Sequence, residues 1–394
     1  MDYRKYISNN AIDIPPSGIR KFFDIVAEKP GAISLGVGEP DFDTPWVCRD
    51  AAIKSIQKGY TQYTSNFGMP KLRDLISKYY KLRYNLVYSA KNEILCTVGA
   101  SEGIDLALRT LINPGDEVLI PDPSYVSYRP IVTLLGAKPV SIPCSIDNEF
   151  KITLENLKKV VTDKTKVIIF PYPNNPTGAI MEKEDLEAIV PFIIEKDLFV
   201  ISDEIYSELT YTKKGHISIA SISSMKERTV VLNGFSKAFA MTGWRLGYAL
   251  APAEIINVMY KIHQYAIMCC PTASQYAAMA ALENGFEEGF STILDMKEEY
   301  NMRRRYLLHE FNSMGLKCFE PKGAFYVFPC VSSTGMDGEE FANTLFKEKN
   351  VAVVPGNAFG ESGKDFVRVS YAYSIKNLEI AIKKIKEFVN SHKK

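Results

Sequence analysis

Chemically reactive side chains gather in one short segment, NGFSKAFAMTGWRLGY, at residues 233–248. It follows the apolar run TVVL and holds Ser236, Lys237 and Arg245 among glycine and aromatic residues. A lysine in apolar surroundings is poorly hydrated, which lowers its pKa and makes the neutral amine available as a nucleophile. The segment therefore predicts a lysine that can react with a carbonyl group, beside a serine and an arginine suited to an anion.

Four further apolar runs are each followed by a segment rich in polar or aromatic side chains. These segments are GASEG (99–103), PDPSYVSY (121–128), PYPNNPTG (171–178) and SDEIY (202–206). Most of them, taken alone, are explained as turns, because glycine, proline, asparagine and serine are ordinary turn residues. Asp203 differs, because a carboxylate buried at the end of an apolar strand is costly unless a cation faces it.

The elements that must position these residues alternate between short apolar runs and longer amphipathic stretches. Predicted strands lie at 93–98, 117–121, 166–170, 198–204, 229–234 and 247–251, and predicted helices include 101–111 and 183–196. Continuous apolar strands separated by helices predict an α/β fold with a mostly parallel sheet buried on both faces. Because ligands of such sheets bind at the carboxyl ends of the strands, the five segments are expected to meet in one site.

Together, the five strand ends match the functional groups of pyridoxal phosphate. The GASEG turn opens a helix whose free N–H groups suit a phosphate. The other segments supply a flat aromatic ring, an amide, a carboxylate with a tyrosine, and a lysine. Pyridoxal phosphate has a planar pyridine ring, a ring nitrogen that must stay protonated, a phenolic oxygen and an aldehyde that a lysine captures as a Schiff base.

Composition excludes several other classes of protein. The 47 Lys and Arg residues nearly balance 46 Asp and Glu, so the net charge of +1 gives no global attraction for nucleic acid or an anionic membrane. No stretch reaches the roughly 18 to 20 apolar residues of a spanning helix, and we expect a cytoplasmic protein. The seven cysteines include no C-x-x-C pair, and no cluster of residue types suggests a metal site.

The sequence resembles the class I aminotransferases that depend on pyridoxal phosphate, in the branch of bacterial and archaeal aspartate and aromatic aminotransferases. The motifs that carry this resemblance are GVGEPDFDTP (36–45), YTSNFGMPKLR (63–73), NNPTG (174–178), SDEIY (202–206), NGFSKAFAMTGWRLGY (233–248), PKGAFYVF (321–328) and FVRVSY (366–371). The resemblance implies a seven-stranded, mostly parallel sheet in a large cofactor-binding domain at 46–285. Residues 1–45 and 286–394 would form a smaller α+β domain.

The resemblance also implies roles for individual residues. Lys237 would carry the cofactor as a Schiff base and move the proton between substrate and cofactor. Asp203 would pair with the pyridine nitrogen, Tyr206 and Asn175 would hydrogen-bond the phenolic oxygen, and Tyr125 would stack on the ring. The phosphate would contact Ala100, Ser101, Ser236, Arg245 and, from the neighbouring subunit, Tyr63.

The same resemblance implies how substrate and subunits are arranged. Arg368 would hold the substrate α-carboxylate, with Asn175 beside it. The segment around Ile19 and the turn at Leu35 and Gly36 would line the substrate entrance. Because Tyr63 would reach across to its neighbour, we expect a homodimer with shared active sites. We also expect cis peptide bonds at Asp122-Pro123 and Asn175-Pro176, as in relatives; such bonds cost only about 0.5 to 1 kcal/mol.

The implied activity is transfer of the amino group of an L-amino acid to a 2-oxo acid such as 2-oxoglutarate, by a ping-pong mechanism. The donor stays open between aromatic, aspartate and broad-range use. Acid-specialised relatives carry a lysine where this chain has Ser101, which argues against strict aspartate specificity. Arg109 lies eight residues further along the same helix, roughly 12 Å away, and is too distant to replace that lysine.

Two alternative activities on the same fold stay open. One is an aminotransferase of N-acyl-diaminopimelate in lysine synthesis, and the other is a carbon-sulfur β-lyase, in which the leaving group of the substrate decides the outcome. The segment PKGAFYVF leaves a further question open. Strand alternation places Phe325 and Val327 on one face and Tyr326 and Phe328 on the other, without deciding which face meets the substrate.

Overall fold

The computed structural model describes residues 1–19, 29 and 31–392. Its strands are β1 (Ile33–Ser34), β2 (Ile94–Thr97), β3 (Glu117–Asp122), β4 (Lys138–Pro143), β5 (Thr165–Phe170), β6 (Phe199–Asp203), β7 (Thr229–Gly234), β8 (Gly247–Leu250), β9 (Tyr326–Val327), β10 (Val351–Ala352), β11 (Val354–Pro355) and β12 (Val367–Ser370). Its α-helices include Asn9–Ile12, Trp46–Gln57, Pro70–Tyr84, Gly99–Leu111, Tyr128–Leu134, Leu154–Val160, Lys183–Glu195, Ala253–Ala266, Thr272–Glu288, Ser291–Ser313, Gly338–Lys349 and Ile375–His392.

Seven strands form the central sheet, in the order β2-β8-β7-β6-β5-β3-β4. β8 runs antiparallel to both of its neighbours, and the other pairings are parallel. This confirms the predicted α/β fold with a mostly parallel seven-stranded sheet. The six predicted strands are all present, with no end shifted by more than one residue.

Both faces of the sheet are buried, which explains the continuous apolar runs. In β5, Val167 and Ile169 pack into one hydrophobic cluster, while Ile168 and Phe170 pack into another on the opposite face. Alternate side chains of a strand point to opposite faces, so a strand that is covered on both sides must be apolar throughout. The helices Gly99–Leu111 and Lys183–Glu195 each contribute to one of these clusters.

The strand β4 is not predicted by the sequence pattern. Its sequence KPVSIP contains lysine, serine and two prolines, and it lies at the edge of the sheet next to β3 only. An edge strand is partly exposed and tolerates proline, so it lacks the continuous apolar run by which the other strands were recognised.

The C-terminal part contains a three-stranded antiparallel sheet, β11-β12-β9. The N-terminal segment joins the C-terminal part through a separate two-stranded sheet, in which β1 pairs in parallel with β10 through Ile33 and Val351. Arg303 strengthens this connection, since its Nη1 atom lies 2.9 Å from both carboxylate oxygens of Asp41. The division into domains at 46–285 and at 1–45 with 286–394 stays a prediction that these contacts support.

The two cis peptide bonds expected before prolines are present. The bonds Asp122-Pro123 and Asn175-Pro176 are cis, and Tyr172-Pro173 is cis as well. Within the part of the chain that the structure describes, no helix combines the length and apolar character needed to cross a membrane.

Candidate active site

A cavity of about 610 Å³ opens at the carboxyl ends of the central strands. Ten of the twelve residues predicted for the site line it. They are Ala100, Ser101, Tyr125, Asn175, Asp203, Tyr206, Ser236, Lys237, Arg245 and Arg368. Nine of these residues lie at or after the ends of five strands of the central sheet, and Arg368 lies in the C-terminal sheet. The cavity is therefore formed between these two sheets.

Lys237 lies three residues beyond the end of β7, and its side chain is surrounded by the cavity walls. Its Nζ atom donates a hydrogen bond to the Gly38 carbonyl oxygen at 2.5 Å. The same atom is 5.6 Å from the ring centre of Tyr206 and 5.5 Å from that of Phe325. Burial lowers the pKa of Lys237 from 10.5 to about 8, and the attraction of Glu39 only partly offsets this shift. At a pH slightly above 8, most of this lysine is therefore a neutral amine.

The lowered pKa predicts how the cofactor-free protein reacts with an amine-modifying reagent. Below pH 8 the Lys237 ammonium has no free electron pair, and above it the neutral amine can attack, so its labelling rate should rise with a midpoint near pH 8. Trace acetylation followed by mass spectrometry of the Lys237 peptide measures this midpoint. The exposed Lys213 in the same digest is the internal control. An equal midpoint at the two lysines would contradict the prediction.

Asp203 ends β6 as a buried carboxylate. Its Oδ2 atom accepts a hydrogen bond from the Tyr128 hydroxyl at 2.7 Å, and its Oδ1 atom accepts one from the Ile205 backbone N–H at 3.3 Å. Burial raises the pKa of Asp203, and these two hydrogen bonds act in the opposite direction. A carboxylate oriented in this way is suited to a protonated ring nitrogen, which would relieve the cost of its burial.

Two tyrosines of the site were not assigned roles from the sequence. Tyr128 orients Asp203, and its ring makes an edge contact with Tyr125, with 5.6 Å between the ring centres. Tyr326 lines the cavity, and its hydroxyl lies 2.9 Å from that of Tyr206. The structure thus decides which face of PKGAFYVF meets the cavity: it is the face that carries Tyr326. Phe325 is fully buried and does not line the cavity.

One end of the cavity is built for an anion. Gly99, with φ of +70°, begins the helix Gly99–Leu111, so the N–H groups of its first turn have no acceptor within the helix. A Cβ atom on Gly99 would lie 2.7 Å from Nη2 of Arg245, so only glycine allows this guanidinium its close approach. Ala100, Ser101 and Ser236 line the same cavity. Helix N–H groups, a serine hydroxyl and an arginine together suit a phosphate.

Arg368 is a buried fork at another part of the cavity. It is 2% exposed, and its guanidinium lies 4.4 Å from the ring centre of Tyr326. Nη1 donates to Oδ1 of Asn175 at 2.9 Å, and Nη2 donates to the Gly36 carbonyl oxygen. Nε has no hydrogen-bond partner among the residues that the structure describes. A buried arginine with an unused donor is suited to a carboxylate from a ligand.

Two predicted residues do not line the cavity. Gly36 contacts the site through its carbonyl oxygen, which accepts from Arg368, while Val37, Gly38 and Glu39 form the wall. Tyr63 is 80% exposed on the surface of this chain. The predicted entrance residue Ile19 lines the cavity. Arg109 pairs with Asp105 at 2.7 Å on the helix surface and not in the cavity.

These contacts fit pyridoxal phosphate at each of its functional groups. The turn at Gly99 with Arg245 suits the phosphate, the buried Asp203 suits the pyridine nitrogen, and Tyr206 suits the phenolic oxygen. Lys237, with its lowered pKa, suits the aldehyde. The unused donor of Arg368 leaves a place for the carboxylate of a substrate.

Comparison with known proteins shows the family of the chain. The chain matches the family model of class I and II aminotransferases over residues 30–385. It is 49% identical to a putative aminotransferase, YugH, of Bacillus subtilis over 98% of both chains. It is 45% identical to the aspartate aminotransferase of Pyrococcus abyssi, over 96% of this chain and 97% of the relative. An aromatic aminotransferase structure from Pyrococcus horikoshii superimposes with a TM-score of 0.89 at 43% identity, covering 94% of this chain and 99% of the other. The chain therefore belongs to the class I and II aminotransferases and is a pyridoxal-phosphate-dependent enzyme.

Proposed function

We propose that this aminotransferase accepts donors with uncharged side chains, aromatic ones included, and is not restricted to aspartate. The observation that carries this proposal is the small number of positively charged side chains in the cavity. Among the lining residues that the structure describes, the cationic side chains are Lys237, Arg245 and Arg368. We assign each of them to a group of the cofactor or to the α-carboxylate that all donors share. At the position where acid-specialised relatives carry a lysine, this chain has Ser101.

The residues of the site divide the work of the reaction. Arg368 binds the α-carboxylate of the donor and so fixes the orientation of the α-carbon. Lys237, as a neutral amine, takes the proton from that carbon and returns it at the next step. Asp203, held by Tyr128, keeps a proton on the pyridine nitrogen. When bound, pyridoxal phosphate supplies an electron sink for the negative charge that develops at the α-carbon. The acceptor in the second half of this ping-pong reaction is a 2-oxo acid such as 2-oxoglutarate.

Half-reactions with single donors test this proposal. The yellow holoenzyme is mixed with one donor at a time: aspartate, glutamate, alanine, phenylalanine, tyrosine or N-acetyl-diaminopimelate. No 2-oxo acid is added, and the loss of the yellow absorbance of the bound cofactor is followed. We expect rapid conversion by phenylalanine and tyrosine. Conversion by aspartate alone would overturn the proposed donor range, and conversion by N-acetyl-diaminopimelate alone would favour the lysine-synthesis alternative. Release of pyruvate and ammonia from a cysteine thioether would favour the β-lyase.

Replacing Ser101 with lysine is expected to shift the donor preference towards acids. The residue lines the cavity, so an ammonium there would attract a side-chain carboxylate. We expect the ratio of kcat/KM for aspartate to that for phenylalanine to rise about tenfold, the effect of one new charge-assisted hydrogen bond. Ser101→Ala is the matched control, because it removes the hydroxyl without adding a charge. An unchanged ratio in Ser101→Lys would show that donor side chains do not reach this residue.

We further propose that the enzyme is a homodimer in which Tyr63 contacts the phosphate of the neighbouring subunit. The high exposure of Tyr63 supports this, together with the exposed apolar side chains of Trp46, Ile56 and Tyr265. Large exposed apolar groups are typical of surfaces that bind another chain. Sedimentation equilibrium tests the subunit number, and a monomer that binds the cofactor tightly would contradict the proposal.

A further inference from the structure

A buried histidine lies behind the anion-binding end of the cavity. His263, on the helix Ala253–Ala266, is 0% exposed. Its Nδ1 atom lies 2.8 Å from Oε1 of Glu102, while its Nε2 atom has no hydrogen-bond partner among the described residues. His263 does not line the cavity. An apolar side chain would fill this place in the core without leaving a buried nitrogen unpaired, so packing alone does not account for a histidine here.

Glu102 connects this histidine to the anion-binding turn. It is the fourth residue of the helix Gly99–Leu111, and its Oε2 atom accepts the backbone N–H of Val98 at 2.5 Å. Val98 is the residue immediately before the helix. The Glu102 side chain therefore holds the turn by a hydrogen bond to the backbone at the start of its own helix, much as in a capping box. The N–H groups of Gly99 and its two successors stay available to a ligand, because a helix offers them no internal acceptor.

The two carboxylate oxygens of Glu102 therefore have different partners, one on the turn and one on a neighbouring helix. A glutamate side chain has several rotatable bonds, so hydrogen bonds to both of its oxygens restrict its orientation more than one bond does. Because a carboxylate oxygen accepts, the Nδ1–H tautomer of His263 would donate a hydrogen bond to Glu102 and reduce the repulsion between this carboxylate and a phosphate bound at the turn.

We infer that His263 is a positioning residue for the phosphate-binding turn and acts through Glu102. This inference rests on the assignment of the cofactor phosphate to the turn at Gly99. It assigns to His263 an effect on the affinity for the phosphate group and no contact with the substrate.

Cofactor binding to the cofactor-free protein tests this inference. The dissociation constants of pyridoxal phosphate and of pyridoxal, which has the same ring and aldehyde but no phosphate, are measured by absorbance titration. For His263→Leu we expect about tenfold weaker binding of pyridoxal phosphate, the effect of losing one hydrogen bond to a charged group. Pyridoxal binding should be unchanged. His263→Asn should restore the affinity, because an asparagine amide nitrogen would take a position close to that of Nδ1.

Two further variants keep the test decisive. Glu102→Ala removes the intermediate group and should weaken binding of pyridoxal phosphate selectively. The double variant should bind no more weakly than Glu102→Ala alone, because His263 acts through Glu102. His309→Leu, which replaces an exposed histidine of the helix Ser291–Ser313, is the matched control and should bind as the wild type does.

Three results would overturn the inference. They are unchanged pyridoxal phosphate binding in His263→Leu, equal weakening for pyridoxal and pyridoxal phosphate, and additive effects in the double variant. If His263→Leu does not fold, a Glu102→Ala variant with wild-type affinity overturns it as well. If the cofactor phosphate does not bind at the turn at Gly99, the result is different: the wild type would then bind pyridoxal and pyridoxal phosphate equally well.

Discussion

Replacing Lys237 with alanine is expected to lower kcat by about 10⁴-fold, the upper end of the contribution of a positioned acid-base group. In the proposed mechanism, this amine both holds the cofactor aldehyde and moves the proton at the α-carbon. No other lysine lines the cavity within the part of the chain that the structure describes. Steady-state transamination with phenylalanine and 2-oxoglutarate measures the loss.

The Lys237→Ala variant should still bind pyridoxal phosphate, because the Gly99 turn and Arg245 are unchanged. Borohydride reduction of the holoenzyme should fix the cofactor to the wild type and release it from the variant on unfolding. Lys213→Ala, at an exposed surface position, is the matched control and should keep full activity. Covalent fixation at another lysine, or an active Lys237→Ala enzyme, would show that this lysine is wrongly assigned.

The strand ends of the central sheet could be predicted because a few consecutive residues are enough to mark each of them. Each buried strand of the prediction is an apolar run, and the reactive residues lie at its end, as Asp203 does, or a few positions beyond it, as Lys237 does. In a parallel sheet the carboxyl ends of neighbouring strands meet at one edge, so knowing the ends is enough to predict one site. The resemblance to aminotransferases then supplied Arg368, which lies on a strand of the other sheet.

Contacts between distant segments could not be predicted in this way. Alternation along PKGAFYVF separated Tyr326 from Phe325 but did not show which face met the cavity, because that depends on how the C-terminal sheet packs against Tyr206. The contact between His263 and Glu102 joins residues 161 positions apart, and it forms only because two helices pack side by side. In both cases, the sequence around each residue does not indicate which distant residue it contacts.

Replacing Arg368 with leucine is expected to lower kcat/KM by about 10³-fold, the effect of removing one member of a buried charge pair. The loss should be of similar size for phenylalanine and aspartate, because both donors present the same α-carboxylate. Arg368→Lys should recover part of the activity, since it keeps the charge but lacks the planar fork that binds two oxygens at once. Half-reaction rates at several donor concentrations separate the weaker binding from the chemical step.

A purely structural role for Arg368 predicts a different result. The guanidinium also holds Asn175 and the Gly36 carbonyl, so its loss could loosen the cavity wall and the cofactor with it. In that case the melting temperature and the cofactor spectrum would change in Arg368→Leu, while the KM for donors would not. Arg305→Leu, at an exposed arginine 3.7 Å from Glu298, is the matched control. A selective rise in KM with an unchanged spectrum is the result that assigns the α-carboxylate to Arg368.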